Sequence, residues 1–375
     1  MMYIVAHIGA DAYGGAEKAT VLLLAGLRAR GHRVLLYSPH ERVQRPAEAA
    51  GLEVRSLHLG GDIALHDTFR FAAALRRERP DVVLLATWRK VWLGGLGARL
   101  ARVPGVVARV GLSTDLPTTA KYRLSVRRLI DAVVVNAAEY REPFIAAGGL
   151  DPARVVAIPN GVRVPERRAE PGSVRRSLGL APDTKVVGAV ARLTPQKRLD
   201  RLIAALAALP ADVHCVLAGD GRSRAELEAQ AAALGVRERV HFLGYRTDIG
   251  DVLDAFDVFV LCSDKEGFAS AMLEAMAAGV PVVCTPVSGV AEALGTEPGE
   301  EAPGVVVDFD PGAIADALGR LLSDPDRRRA MGAAGARRAR QRFDFEDMLD
   351  AYEAVLRAAA RPDGRRARPE PGLGE

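Results

Sequence analysis

The stretch Lys185-Val-Val-Gly-Ala-Val-Ala-Arg-Leu-Thr-Pro-Gln-Lys197 sets a short apolar strand directly before a polar loop that leads into a helix. Its pattern predicts a strand over residues 186–191, a loop over 192–197, a helix over about 198–209 and a second strand over 213–218. Short apolar strands that alternate with amphipathic helices are typical of parallel sheets. The stretch therefore predicts the opening of a wound α/β domain.

The first residues of the chain repeat this order. A strand is predicted over residues 3–8, the next loop contains Gly14 and Gly15, and a helix over about 16–30 leads to a strand over 33–38. A chain of 375 residues also exceeds what one hydrophobic core usually serves. Two such openings therefore predict two separately wound parallel sheets.

Composition along the chain predicts where these domains end. Residues 163–182 are charged, rich in Pro and Gly and without an apolar period, so they predict the interdomain linker. We expect a Rossmann-like N-terminal domain over residues 1–165 and a Rossmann-like C-terminal domain over 166–344. Residues 345–360 predict an amphipathic helix that needs a surface to lie on. Residues 361–375 have almost nothing to bury and predict a disordered tail.

Composition and cysteine usage exclude several classes of protein. Hydrophobic residues make up 49% and charged residues 26%, which is typical of a globular enzyme. Apolar runs are too short to span a membrane, and the first residues form a strand pattern rather than a signal peptide. Cys215, Cys262 and Cys284 lie in apolar, strand-like runs, which predicts buried thiols in a reducing compartment and a cytoplasmic location. No nucleic-acid partner is expected.

Positive charge is concentrated in one part of the chain. Residues 70–130 contain thirteen Lys or Arg and three Asp or Glu, although the whole chain has a net charge of only +4. This bias favours an anionic or lipid-linked partner on the N-terminal half, and Arg-rich solvated helix faces are an equally good interpretation. Within it, residues 121–130 alternate apolar and basic side chains and predict peripheral contact with the inner face of a membrane.

Ligands of open parallel sheets bind beyond the carboxyl ends of strands, where loops lead into helix N-termini. The loop at residues 192–197 places Arg192 and Lys197 at such a point. A guanidinium can fork two phosphate oxygens while an ammonium acts as a mobile point charge, so the pair suits a diphosphate. Taken alone, the loop is better explained as an exposed basic turn.

A second loop carries carboxylates. Glu266 follows a buried strand, and Glu274 lies one turn into the helix that begins at Ser270. Gly267 allows close approach of the backbone, and the amides that follow can point at a phosphate or sugar oxygen. Both carboxylates could accept hydrogen bonds from vicinal hydroxyls, whereas Glu274 is also explained by the helix dipole alone.

The segment Glu266-Gly-Phe-Ala-Ser-Ala-Met-Leu-Glu274 resembles the E-x7-E pattern of retaining glycosyltransferases of the GT-B fold, specifically the large family 4. Further segments resemble the family in the family's order over roughly residues 3–356. These are Gly14-Gly15-Ala-Glu-Lys, Ile158-Pro-Asn-Gly-Val162, Arg192-Leu-Thr-Pro-Gln-Lys197, Ala218-Gly-Asp-Gly221 and Phe242-Leu-Gly244.

The resemblance implies a function and a role for each matched residue. It implies a retaining, metal-independent enzyme that transfers a sugar, typically a hexose, from a nucleotide-diphosphate sugar to an acceptor hydroxyl, with no cofactor. Arg192 and Lys197 would bind the donor diphosphate, and Glu274 the donor ribose. Glu266 would hold hydroxyls of the transferred sugar. The remaining donor-binding residues implied are Gly14, Gly15, Gly267, Phe268 and Ala269.

The resemblance also implies an architecture. Two Rossmann-like domains would face one another across a cleft, with the acceptor on the N-terminal domain and the donor on the C-terminal domain. The helix at residues 345–360 would return to pack on the N-terminal domain.

The chain departs from the family beyond the strand predicted at residues 106–110. Many members carry a histidine there, whereas this chain has Gly111. Neighbouring polar residues could occupy that space, and His7 at the end of the first strand could touch an acceptor. The acceptor-side candidates are His7, Arg109, Ser113, Thr114 and Asp115.

Other interpretations remain open. A dinucleotide-dependent dehydrogenase lacks its G-x-G-x-x-G pattern here. A nucleotide-sugar epimerase on the same double fold and a nucleotide-sugar-binding protein without turnover are closer alternatives. Asp308-Phe-Asp310 and Asp324-Pro-Asp326 match a metal-binding Asp-x-Asp pattern, but Asp and Pro at these places are typical of helix boundaries, so no metal site is predicted.

Overall fold

The computed structural model describes residues 1–60, 64–111, 115–295 and 300–361. The chain divides into two compact units, one of Met1–Asn160 with Glu346–Glu375 and the other of Gly161–Phe345. From the sequence, the boundaries were expected after residues 165 and 344. The predicted tail at 361–375 lies, apart from Arg361, outside the described residues.

The first unit contains a parallel sheet of seven strands among its described residues, in the order β3-β2-β1-β4-β5-β6-β7. The strands are β1 Tyr3–His7, β2 Arg33–Tyr37, β3 Glu53–Arg55, β4 Val82–Leu85, β5 Gly105–Val110, β6 Ala132–Val135 and β7 Val155–Ala157. Five of them follow the apolar runs of the sequence. The three-residue strands β3 and β7 were not predicted.

Two groups of helices cover this sheet. The helices are α1 Gly15–Ala29, α2 Glu41–Ala49, α3 Leu65–Glu78, α4 Val91–Leu100, α5 Ala120–Arg128 and α6 Arg141–Gly148. The helices α3 to α6 contact one another in succession, and α1 contacts α2. Because every strand pair in the sheet is parallel, these connecting helices begin at the edge where the strands end.

The last helix, α15 Phe345–Ala359, packs on the first unit, as the resemblance implies. The guanidinium of Arg109 on β5 donates from Nε to the Tyr352 hydroxyl of α15 (3.0 Å) and from its terminal nitrogens to Thr20 Oγ1 (3.2 Å) and Asn160 Oδ1 (2.8 Å). A Cβ at Gly105 would lie 2.6 Å from the backbone oxygen of Ala359. The close approach of α15 therefore depends on a glycine and a buried arginine.

The second unit contains a parallel sheet of six strands among its described residues, in the order β10-β9-β8-β11-β12-β13. The strands are β8 Lys185–Val190, β9 Val213–Ala218, β10 Val240–Gly244, β11 Val258–Leu261, β12 Val282–Cys284 and β13 Gly304–Val306. The helices are α7 Ser173–Ser177, α8 Leu199–Ala207, α9 Arg224–Ala233, α10 Ile249–Asp254, α11 Ser270–Ala277, α12 Val290–Leu294, α13 Pro311–Leu322 and α14 Pro325–Arg342. The apolar core of this unit lies between the sheet and helices that include α8 and α13. In the part of the chain that the structure describes, no helix has the length and apolarity needed to cross a bilayer.

The segment predicted as a linker, residues 163–182, is part of the second unit and packs on it. The backbone N–H groups of Arg168 and Ala169 donate to Asp251 Oδ1 at 2.9 and 3.1 Å, and that of Gly172 donates to Asp254 Oδ2 at 2.7 Å. The linker interpretation was therefore wrong for this segment. Polar side chains of α10, rather than an apolar period, hold it in place.

We expect Tyr352→Phe to lower the free energy of unfolding by about 1–3 kcal/mol, because it leaves the buried Nε of Arg109 without its acceptor. Tyr245→Phe is the matched control, since Tyr245 is 69% exposed. Urea unfolding measures both changes. Equal stability of the two variants would contradict the role given to the Arg109–Tyr352 hydrogen bond.

Candidate functional site

The loops that follow β8 and β11 emerge side by side. The two strands are neighbours in the sheet, and the strand order reverses between them, from β8 outward to β10 on one side and from β11 outward to β13 on the other. Helices therefore leave the two strand ends in opposite directions and open a crevice between the loops. Residues 191–198 and 262–269 lie at this point of the second unit.

Backbone and side-chain bonds join the two loops. The N–H of Asp264 donates to Gln196 O at 3.0 Å, and the side-chain amide of Gln196 donates back to Lys265 O at 2.8 Å. The Asp264 carboxylate also accepts from Arg201 at 2.8 Å and from Arg198 at 3.3 Å. Side chains carried by either loop are consequently held in a fixed relation to the other.

Lys197 and Glu266 meet across this junction. Lys197 Nζ lies 2.5 Å from Glu266 Oε1, and the Ser263 hydroxyl donates to the same oxygen at 2.5 Å. The Glu266 residue is only 8% exposed, so its carboxylate depends on these donors for the stabilisation that water would otherwise give. Thr285 Oγ1, itself fully buried, donates to Ser263 O at 2.8 Å and fixes the start of the loop.

Ser263 and Thr285 are site residues that the sequence interpretation missed. Ser263 lies two residues after the end of β11, the strand that Glu266 also follows, and three residues before Glu266, so its position was a usable signal. Thr285 directly follows β12, the strand next to β11 in the sheet. Its proximity to Ser263 therefore depends on strand order and could not be inferred from sequence spacing.

Arg192 lies on a loop that is supported from beneath by two glycines. The loop is bonded through Leu193, whose N–H donates to Asp220 O and whose carbonyl accepts from Ser223, both at 3.0 Å. Gly219 has a φ of +142°, and a Cβ there would lie 1.9 Å from Ala191 O. Gly221 has a φ of +159°, and a Cβ there would lie 2.3 Å from Leu193 O. The exposed Arg192 side chain makes no hydrogen bond or ion pair with any other residue that the structure describes.

The residues after Glu266 lead straight into α11. Phe268 is buried, its ring lies 5.5 Å from that of Phe343, and a Cβ at Gly289 would lie 2.7 Å from it. The Phe268 side chain therefore anchors the loop, which leaves the backbone from Gly267 to Ala269 as the part that can meet a ligand. Glu274 is half-buried, one turn into α11.

The glycine pair near the start of the chain begins a helix. Gly14 is the N-cap of α1, and its N–H donates to the Glu17 carboxylate at 2.9 Å. A Cβ at the exposed Gly15 would meet no atom within 4 Å, so space alone does not require glycine there. The dipole of α1 is directed at this turn.

The structure places the acceptor-side candidates differently from one another. His7 is fully buried, neither ring nitrogen has a partner in the described ranges, and burial lowers its pKa to about 3, so the ring is neutral. Arg109 is occupied by the three hydrogen bonds described above. Asp115 is half-buried, and Ser113 with Thr114 lies outside the described residues.

Asn136 is a further polar residue at the carboxyl edge of the first sheet, where β6 ends. Its Nδ2 donates to Gly111 O at 3.2 Å, while its buried Oδ1 has no partner within the described ranges. A Cβ at Gly111 would meet Asn136 only at 3.9 Å. The side-chain amide of Asn136 thus lies beside the position where the family's histidine is missing.

The Asp-x-Asp segments begin helices. Asp310 accepts from Ala313 N–H at 3.0 Å as the N-cap of α13, and Asp324 accepts from Arg327 N–H at 2.9 Å as the N-cap of α14. The interpretation of these segments as helix boundaries is confirmed. Among the described residues, no group of three or more His, Cys, Asp or Glu side chains is arranged to hold a metal ion.

All three cysteines are buried free thiols, as predicted. Burial raises the pKa of Cys262 and of Cys284 to about 12, so both remain protonated near neutral pH. Neither is therefore suited to act as a nucleophile.

Comparison with known proteins agrees with this geometry. The model of the family described as glycosyl transferases group 1 matches residues 173–338, and the glycosyl transferase 4-like domain model matches residues 14–161. Together with the relatives below, these matches account for both units. The chain belongs to the group 1 glycosyltransferases, family 4.

Curated relatives and a solved structure are similar over most of the chain. A D-inositol 3-phosphate glycosyltransferase of Xylanimonas cellulosilytica is 38% identical over 77% of this chain and 71% of its own length. The lipopolysaccharide core biosynthesis glycosyltransferase LpsE of Rhizobium meliloti is 30% identical over 93% of this chain and 97% of its own. HepE of Anabaena, solved with UDP and glucose, is 24% identical with a TM-score of 0.83 and covers 96% of this chain and all of that one.

The fold is therefore GT-B, and the protein is a glycosyltransferase that uses a nucleotide-sugar donor. The group 1 glycosyltransferase model spans both the loop with Arg192 and Lys197 and the segment from Glu266 to Glu274. The dehydrogenase, epimerase and non-catalytic interpretations give way to this one.

We expect Ser263→Ala to lower kcat/KM for sugar transfer by roughly tenfold, because Glu266 would lose a donor that fixes its carboxylate, worth about 1.5–3 kcal/mol for a charged partner. The matched control is Ser177→Ala, because the exposed Ser177 hydroxyl donates to Val174 O within α7 and not to a residue of either loop. Steady-state kinetics with varied donor measure both. Unchanged kcat/KM in Ser263→Ala would show that the hydroxyl does not position Glu266.

Proposed function

We propose that this family member is a retaining glycosyltransferase that takes its sugar from a UDP-sugar, bound by the second unit. The observation that carries the proposal is the Lys197–Glu266 pair, which joins a cation to a buried carboxylate at the strand-order reversal of the second sheet. A uridine donor is supported by HepE, which has been solved with UDP-glucose.

Arg192 and Lys197 are proposed to bind the diphosphate. Arg192 is exposed on a loop whose backbone is fixed, so its guanidinium can fork phosphate oxygens without first breaking a bond to another described residue. An ammonium has three N–H donors, so Lys197 can keep its bond to Glu266 and still reach a phosphate. The N-terminus of α11 adds positive potential on the same side of the crevice.

Glu266 and Glu274 are proposed to hold hydroxyl groups. Lys197 and Ser263 orient the Glu266 carboxylate before any ligand arrives. Little further side-chain entropy is therefore lost when a sugar hydroxyl donates to it. Glu274 projects from the first turns of α11 and is proposed to accept from the ribose. The backbone from Gly267 to Ala269 would close around the sugar.

Chemistry is proposed to follow front-face attack. The bond from the anomeric carbon to the β-phosphate oxygen lengthens first, and the charge that develops on the phosphate is stabilised by Arg192 and Lys197. The acceptor oxygen then bonds to the anomeric carbon on the face that the phosphate leaves, and its proton passes to the departing phosphate oxygen. Lys197 and Ser263 both donate to Glu266 Oε1, which leaves Oε2 to accept from a sugar hydroxyl, and the proposal gives Glu266 this binding role rather than the covalent step of retaining glycosidases.

Metal independence is part of the proposal, because Arg192, Lys197 and the helix dipole supply the positive charge that a divalent ion supplies in other transferases. We therefore expect the initial rate of transfer to be unchanged in excess EDTA. A loss of activity that Mg²⁺ or Mn²⁺ restores would overturn this part.

The acceptor is proposed to bind at the carboxyl edge of the first sheet and to be anionic or lipid-linked. One relative acts in lipopolysaccharide core biosynthesis, and the name of another specifies an inositol phosphate acceptor. Asn136 and Asp115, with Ser113, are the side chains proposed to contact it, and the turn at Gly14 and Gly15 would border it. His7 and Arg109 are buried, so a supporting role suits them better than direct contact. A cytoplasmic location at the inner membrane face fits such an acceptor.

We expect Arg192→Ala to lower kcat/KM by roughly 100-fold, about 3 kcal/mol of transition-state stabilisation, with little change in thermal stability because Arg192 is exposed. Arg327→Ala removes an equally exposed arginine from α14 and serves as the control. Lys197→Ala should lower kcat/KM similarly but also destabilise the fold, since it leaves the buried Glu266 without its cation.

Initial rates with UDP-glucose, GDP-mannose and ADP-glucose, together with thermal melting, provide the measurements. Full activity of Arg192→Ala with every donor would remove this residue from the diphosphate site. Activity with a guanosine or adenosine donor alone would correct the nucleotide and leave the site intact.

A further inference from the structure

The outer faces of α3 and α5 expose large apolar side chains close to where these helices begin. Leu65 and Phe69 lie one turn apart on α3 and are 50% and 63% exposed, and Leu124 in the first half of α5 is 51% exposed. Single exposed apolar residues are normal on protein surfaces. Two such residues lie on one stripe of α3, and a third lies on α5 in the same layer of helices, which together call for an explanation.

The helix between them continues the patch. The helix α4 contacts both α3 and α5, and Trp92 in its first turn is half-buried. All three helices begin at the carboxyl edge of the parallel sheet, so these apolar side chains lie towards the edge at which the acceptor is proposed to bind. Tryptophan is favoured where one side of a side chain is apolar and the other wet.

Exposed arginines accompany the apolar side chains. Arg70 on α3, Arg89 directly before α4 and Arg123 on α5 are all exposed. The helices α4 and α5 contain no acidic residue. The two acids of α3 are both engaged. Asp67 accepts from the N–H of Gly60 and lies 3.9 Å from the guanidinium of Arg70, and Glu78 is bonded to Arg55 and Tyr3. Arg89 and Arg123 therefore offer positive charge with no acidic partner on these three helices, and Arg70 offers it in part.

We propose that the N-terminal halves of α3, α4 and α5 form a docking face for an anionic lipid bilayer. We call it the lipid-docking face. It is defined by the apolar residues Leu65, Phe69, Trp92 and Leu124 and by the arginines Arg70, Arg89 and Arg123. Apolar side chains enter the headgroup region while arginines stay at its surface and bind lipid phosphates. The proposal rests on the proposed function for its biological purpose, which is to present a membrane-held acceptor at the carboxyl edge of the first sheet.

This face differs from the segment that the sequence favoured. Within residues 121–130, Val126 and Ile130 are buried and the ring of Tyr122 stacks on Trp88 with centroids 5.0 Å apart. Arg127 Nε donates to Gly148 O at 2.7 Å. Most apolar side chains of that segment are thus used within the first unit, and only its exposed residues remain available to a bilayer.

Two other partners would leave different traces. An anionic polymer would bind through the arginines and leave Phe69 without effect. A second copy of this chain would meet the same positive charge, which opposes close approach of two identical faces. An anionic bilayer alone uses both the charge and the apolar side chains, and the test therefore varies them separately.

The test is flotation of the full chain with neutral phosphatidylcholine vesicles and with vesicles that also contain phosphatidylglycerol. We expect binding only to the anionic vesicles and weaker binding at high salt. Arg70→Gln with Arg89→Gln should lower the affinity about 25-fold, at about fivefold for each arginine. Phe69→Ser should lower it by roughly tenfold or more, since burial of a phenylalanine ring is lost.

Matched controls are available in the second unit. Arg327→Gln with Arg340→Gln removes two exposed arginines of α14, and Leu234→Ser removes a leucine that is 43% exposed. Both should bind vesicles as the unchanged chain does. Equal losses in test and control variants would overturn the proposal, and so would absence of binding to anionic vesicles.

Weaker vesicle binding in the arginine variant together with unchanged binding in Phe69→Ser would indicate adsorption by charge alone. That result would also overturn the proposal. So would self-association that Phe69→Ser abolishes in the absence of lipid. Thermal stabilisation by UDP-glucose and by the other nucleotide sugars, measured on the same preparations, separates the two proposals. Stabilisation without vesicle binding would contradict only the lipid-docking face. Vesicle binding without stabilisation by any nucleotide sugar would contradict only the donor site.

Discussion

The bond between Lys197 and Glu266 is the constraint on which the donor site depends. A carboxylate as buried as that of Glu266 is stable only with a cation and further donors, and Lys197 and Ser263 supply both from neighbouring strand ends. The strand order makes this meeting possible, because β8 and β11 are adjacent although some seventy residues of chain separate their loops. The same bond that stabilises the loops therefore holds a carboxylate and a cation ready at the place where a diphosphate sugar enters. Lys197 consequently affects both stability and transfer, whereas the exposed Arg192 affects transfer alone.

Each unit contains a close backbone approach that only glycine allows. In the second unit, Gly219 and Gly221 let one loop support the backbone beside Arg192. In the first unit, Gly105 admits the end of α15, and Arg109 then bonds to that helix, to α1 and to Asn160. Arg109 is a buried cation whose three acceptors are neutral groups, so its desolvation is offset only while all three remain in place. The retention of α15 on the first unit is thus a matter of polar geometry as well as of apolar packing.

Much of this could be predicted from the sequence, and the remainder follows identifiable rules. Apolar runs of four residues or more located most strands, and the spacing of Arg192, Lys197, Glu266 and Glu274 located the loops that meet at the strand-order reversal. Contacts set by topology could not be predicted, such as Thr285 beside Ser263 or Tyr352 beside Arg109, which is 243 residues away in the chain. Residues 163–182 were misinterpreted because carboxylates of α10, which leave no apolar period, hold them. The basic segment at residues 121–130 was overrated because periodicity shows which side chains share a helix face, but not whether a neighbouring helix already covers that face.

The central claim is that Arg192 holds the diphosphate while Glu266 holds the sugar, and calorimetric titration with UDP and with UDP-glucose separates these roles. For Arg192→Ala, we predict that both ligands bind more weakly by a similar factor. For Glu266→Gln, which keeps an oxygen for Ser263 but removes the charge, we predict that UDP binds as before and UDP-glucose loses roughly tenfold in affinity, as expected for a lost charge-assisted hydrogen bond. Equal losses for UDP and UDP-glucose in Glu266→Gln, or unchanged binding of both ligands in Arg192→Ala, would contradict the account.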